Sequence, residues 1–133
     1  MELHDSRFAR IEYIEDLQMV VHIWKIESVN LTEEDFKNEM QTLAFFFKQY
    51  KPKRVFVDQR EFYFTVVPGL QRWVDTNVNK ILVDNGTEKV AFVVSPDILA
   101  KLTVTQTLSE SYSQNLNVRF FDDYKDAKQW IES

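Results

Sequence analysis

Two short runs decide most of what this chain can become. RVFVD at 54–58 and KVAFVVS at 89–95 are apolar almost throughout, without the polar alternation of a half-exposed strand. Strands read this way when both faces are covered, which is the situation in a parallel sheet. Each run is followed by a segment with helical spacing, and strands alternating with helices demand a mainly parallel sheet. Before them, SRFARIEYI at 6–14 and QMVVHIWKI at 18–26 read as two more strands, joined by Glu15-Asp16-Leu17. So short a connection makes them an antiparallel hairpin. VRFF at 118–121 is the last strand. The expected order is β-β-α-β-α-β-α-β-α. That is a single α/β domain over 1–133, with a mixed, mainly parallel sheet of about five strands and about four helices.

The helices have visible punctuation. In LTEEDFKNEMQTLAFFFKQYKP, Thr32 is a good N-cap, Asp35 is a near-match to a capping box, and Pro52 stops the helix. Pro68 opens a second helix, whose apolar residues Leu70, Trp73, Val74, Val78, Ile81 and Leu82 keep helical spacing with one missed step at Asn77. Gly86 suits its C-cap. Ser95-Pro96-Asp97 opens a third helix, in which the β-branched LTVTQT at 102–107 is a weak helix former. The last helix, DYKDAKQWIES, lines Tyr124, Ala127, Trp130 and Ile131 along one face, and Asp122 or Asp123 can cap it.

Composition narrows the function classes. The chain has 133 residues and a net charge of −5, with 2 Gly and no cysteine. No basic stripe suggests nucleic acid. Two glycines cannot build a glycine-rich phosphate loop, and thiolate chemistry is excluded. The charged start MELHDSRFARIEY does not read as a signal peptide, and no run approaches the roughly 18 apolar residues of a membrane span. A cytoplasmic protein is expected. His4 lies near a terminus that reads as frayed, and His22 lies inside a strand, where a half-buried structural role is the simpler reading. No nucleophile elbow or metal-spaced histidine pair is present. No catalytic residue, metal or cofactor is therefore assigned.

The strand order and several stretches resemble the STAS-like fold of anti-sigma-factor antagonists, and more closely the bacterial SpoIIAA-like group. The resemblance rests on the hairpin start, RVFVDQREF as a strand ending in Asp58, a tryptophan-bearing helix after it, EKVAFVVSPD, and the close VRFFDDYKDAKQWI. It implies a small non-enzymatic domain that switches partners or binds a small or lipophilic ligand. The antagonists carry a phosphorylatable serine after an aspartate at the end of the third strand. Here Asp58-Gln59-Arg60 stands at that place, and no serine or threonine comes before Thr65.

Two apolar excesses are left over. The three phenylalanines at 45–47 cover more than one helical stripe: Phe47 joins Phe36, Met40 and Leu43 on the core side, Phe46 flanks it, and Phe45 points the opposite way. Phe45 is either a lone exposed ring or an anchor for a homodimer. The loop EFYFTVVPGL holds Phe62, Tyr63, Phe64, Val66 and Val67 where polar turn residues are usual. It either seals the core or lines an apolar pocket or contact surface. Arg60 and Trp73 flank it, so Asp58, Arg60, Phe62, Phe64 and Trp73 form the candidate site for a protein partner or a small apolar ligand. The competing expectations are an enzyme using Asp58, Asp97 and Asp122 at the strand ends, with or without a metal, and a homodimeric structural protein joined through Phe45.

Overall fold

A computed structural model describes residues 1–105 and 116–133. Six strands form one sheet in sequential order: β1 (Glu2–Asp5), β2 (Ala9–Ile14), β3 (Met19–Trp24), β4 (Arg54–Asp58), β5 (Lys89–Val93) and β6 (Val118–Phe121). β2 runs antiparallel to both β1 and β3, and β3 to β6 run parallel. The expected α/β sheet is present, with one strand more than the sequence announced.

That extra strand is β1. Three of its four residues are polar, and Leu3 alone gives no strand signal. Pairing fixes it: His4 sits opposite Ile11 and Asp5 opposite Arg10. His4 is therefore no frayed residue. Its Nε2 lies 3.2 Å from Oε1 of Glu39, and Ser6 Oγ donates to the same oxygen at 3.0 Å. Glu39 is a buried carboxylate on the first helix, and these two partners meet its need for donors. The third strand also ends earlier than expected. Ile26 is not on its inward face but in a 3₁₀ turn, Ile26–Asn30, and is exposed.

The helices are α1 (Glu33–Tyr50), α2 (Pro68–Val74), α3 (Lys80–Asp84), α4 (Pro96–Thr105) and α5 (Tyr124–Glu132). A π-turn at Asp75–Asn79 joins α2 to α3, so 68–84 is one rod and the described residues form four helical bodies. Thr32 caps α1 through a full capping box: Thr32 Oγ1 accepts from Asp35 N, and Thr32 N donates to the Asp35 carboxylate. Gly86 takes the left-handed φ of 74° just past α3, which an L side chain rarely adopts. Asp123 caps α5, accepting from Lys125 N and Asp126 N. Ser95 Oγ accepts from Ile98 N in the first turn of α4. The end of the LTVTQT run, 106–107, lies outside the described residues.

Alternation along the strands divides the core in two. Val20, Val55, Val57 and Val90 face α1 and the 68–84 rod, where they meet Phe36, Leu43, Phe47, Leu70, Val78 and Leu82. Met19, Phe56, Ala91 and Val93 face the other way, onto Ala127 and Ile131 of α5. β4 and β5 are thus covered on both sides, as their apolar sequences require.

Candidate ligand cavity

On the α1 face the core is incompletely filled. A cavity of about 360 Å³ lies between β3–β6, α1 and the 68–84 rod. Pockets for small ligands are of this size, mostly apolar, with a few polar groups that orient the guest. Packed interiors rarely leave such space.

Each wall comes from a recognisable piece of sequence. Inward positions of the strands supply Trp24, Val57 and Phe92. α1 supplies Phe36 and Met40 from its core stripe. The apolar loop is extended and alternates: Phe62, Phe64 and Val66 turn inward, while Tyr63, Thr65 and Val67 are exposed. Phe62 and Val66 line the cavity, and Phe64 stacks on Phe36 with ring centroids 5.1 Å apart. Trp24 contacts both Phe36 and Phe62, at 5.9 and 4.6 Å. Both alternatives posed for this loop are therefore realised, by different residues. Trp73 is half-buried behind the wall with Lys37 over its ring, and is not on the cavity surface.

Five polar residues in the wall were not singled out as site residues: Gln59, Gln71 and the three taken up next, His22, Asp75 and Asn79. His22 is 1% exposed, and among the described residues its Nε2 has no hydrogen-bond partner. Burial pushes its pKa down to about 3, so the ring is neutral near pH 7. Asp75 is 3% exposed and accepts from Asn79 Nδ2 at 3.2 Å. Both Asp75 and Asn79 belong to the π-turn. A π-turn inserts one residue into the helical phase, and such turns recur at functional sites. Its trace in the sequence was the missed step at Asn77, which faces solvent and donates from Nδ2 to Trp73 O at 2.8 Å. A sharper signal was Asp75 and Asn79 themselves, spaced i,i+4 beside Val74 and Val78 on an otherwise apolar stripe.

Asp58 and Arg60 lie apart from this cavity. Asp58 points to the α5 face of β4, where Arg60 binds it through two nitrogens and also lies over the Tyr124 ring, 5.0 Å from its centroid. Only Gln59 between them reaches the cavity wall. Asp97 and Asp122 are exposed at the start of α4 and before α5. Among the described residues, no three His, Asp or Glu side chains are placed to hold a metal ion. No helix among them is long and apolar enough to cross a membrane.

A family model described as SpoIIAA-like matches residues 25–132. The chain belongs to the SpoIIAA-like family. The match runs from the 3₁₀ turn after β3 to the end of α5, so it spans every element that builds the cavity except β3 itself. Comparison with curated proteins and with solved structures gave no significant match. SpoIIAA-like membership points to a regulatory or binding domain of STAS type. The family's domains are generally non-enzymatic and interact with proteins.

Proposed function

We propose that this domain binds a small, largely apolar molecule in the cavity between the sheet, α1 and the 68–84 rod. One observation carries this reading: a space large enough for a drug-sized guest sits among aromatic and aliphatic side chains, with a few polar residues, His22, Asp75 and Asn79 among them, in its wall. In this reading Phe62 contacts the guest, Phe64 and Trp73 back the wall, and the Asp58–Arg60 pair fixes the start of the loop. Phenylnaphthylamine, a neutral dye that brightens in apolar surroundings, tests it. Saturable brightening at one site per chain is expected, and Val74→Trp, which fills the cavity, abolishes it while the circular dichroism spectrum is retained. A dye that stays dark in the parent protein overturns the reading.

A second reading, a protein partner, is favoured by the outer surface of the same loop. Ser28 Oγ donates to Glu61 O at 2.8 Å and accepts from Tyr63 N at 2.9 Å, fastening the 3₁₀ turn to the loop. Both segments expose apolar side chains, Ile26 and Val29 on one and Tyr63 and Val67 on the other. A partner captured by the parent and lost on Tyr63→Asp, with dye binding intact, supports this surface.

A further inference from the structure

The loop that walls the cavity is fastened at both ends and lightly held in between. At its start Ser28 Oγ binds Glu61 O and Tyr63 N, and Phe62 N donates to Gln59 O at 3.2 Å. At its end Leu70 N and Gln71 N both donate to Val67 O at 2.9 Å, where α2 begins. Over 64–66, among the described residues, a single hydrogen bond holds the backbone: Gln71 Nε2 donates to Val66 O at 3.0 Å. Phe64 adds ring contacts to Phe36 and Phe62, apolar contacts that tolerate sliding as a hydrogen bond does not.

Gln71 also marks where the cavity meets solvent. Among the described lining residues it is the one exposed residue. Val66, which it binds, and Val74, about one turn further along α2, line the same stretch of wall and are partly exposed. On the reading that the cavity holds a guest, we infer that the guest enters between the loop and α2, and that the hydrogen bond from Gln71 to Val66 is the latch of that entrance. Breaking it frees 64–66 while both ends of the loop stay fastened. Opening therefore costs one hydrogen bond of an exposed side chain and leaves the packed core in place. The latch joins the protein to itself and closes with or without a guest. It sets how fast a guest passes, not how tightly the guest is held.

Stopped-flow brightening of phenylnaphthylamine tests this. Gln71→Met keeps the length of the side chain and removes the donor. Association, and dissociation on dilution of the complex, are both expected to quicken about fivefold, the scale of one net hydrogen bond, with Kd within about twofold of the parent. Position 71 is exposed, so the fold is retained, which circular dichroism checks. Arg72→Met, one residue along and off the cavity wall, leaves both rates at the parent's values. Unchanged rates in Gln71→Met, a change carried by dissociation alone, or equal quickening in Arg72→Met overturns the latch and leaves the cavity a binding site. Failure of the dye to bind the parent protein removes the cavity reading and this inference together.

Discussion

Arg60 grips Asp58 with two nitrogens, Nε on Oδ1 at 3.0 Å and Nη2 on Oδ2 at 2.7 Å, two residues apart in sequence. The Arg60 backbone N–H also donates to Oδ1, at 3.1 Å. Asp58 is 7% exposed at the end of a central strand, whereas the Arg60 side chain is half in solvent. The pair thus neutralises a buried carboxylate and turns the chain out of β4 into the aromatic loop. Arg60→Ala is expected to lower stability by about 1 kcal/mol, because the exposed half of the pair is screened and the retained backbone bond softens the loss. Asp58→Ala removes the loop's anchor as well, and the double variant loses less than the sum of the two. Urea unfolding of the three variants measures the coupling.

His22 makes stability depend on pH in a defined direction. In the unfolded chain its pKa is 6.5, and in the fold it is about 3. Below pH 6.5 the unfolded state takes up a proton that the native state refuses, so stability is full above 6.5 and falls as pH drops toward 3. One such proton costs about 1.4 kcal/mol per pH unit, or about 2 kcal/mol between pH 6.5 and 5. Unfolding of the parent and of His22→Phe at several pH values should show this slope in the parent and lack it in the variant. Equal slopes would sink the assignment.

Ser28 is wholly buried and serves two backbone groups of the loop at once. Ser28→Ala strands the Tyr63 amide and the Glu61 carbonyl, at a cost of about 1–3 kcal/mol. Loss of local order is expected to exceed loss of global stability. Amide exchange at Tyr63 should therefore speed up more than exchange in β4 or β5.

Phe45 is 59% exposed and touches Phe46 edge-on, with centroids 5.3 Å apart. Phe45→Ser is expected to change monomer stability by no more than about 0.5 kcal/mol, as surface substitutions usually do. Sedimentation then reads the other half of the question. If this ring seats a second copy, the variant's mass falls from dimer to monomer, and an unchanged mass rejects that interface.

Legibility in the sequence followed how locally each feature is determined. RVFVD and KVAFVV were readable as doubly covered strands because burial on both faces writes itself into consecutive residues. Thr32 and Asp35 were readable because a cap is completed within one turn. β1 was not, since Glu2–Asp5 carries no strand pattern and is held by bonds such as His4 to Glu39, 35 residues apart. The aromatic loop was legible as an anomaly, and its alternation even shows in the string FYFTVV. What no local pattern could give was the space beneath it. A void is a property of how α1 and the 68–84 rod straddle four strands, and His22 looks like any strand histidine until its missing partner is noticed. Asp58 and Arg60 were readable as neighbours, but the pleat that turns Asp58 toward α5 sets them apart from Phe62.

The loop after β4 divides its side chains between two faces. Because it is stretched out, Phe62, Phe64 and Val66 form one row and Tyr63, Thr65 and Val67 the other, on a single backbone. The outer face at Tyr63 and Val67 thus lies one thickness of polypeptide from the cavity wall at Phe62 and Val66, and displacement of either row carries the other with it.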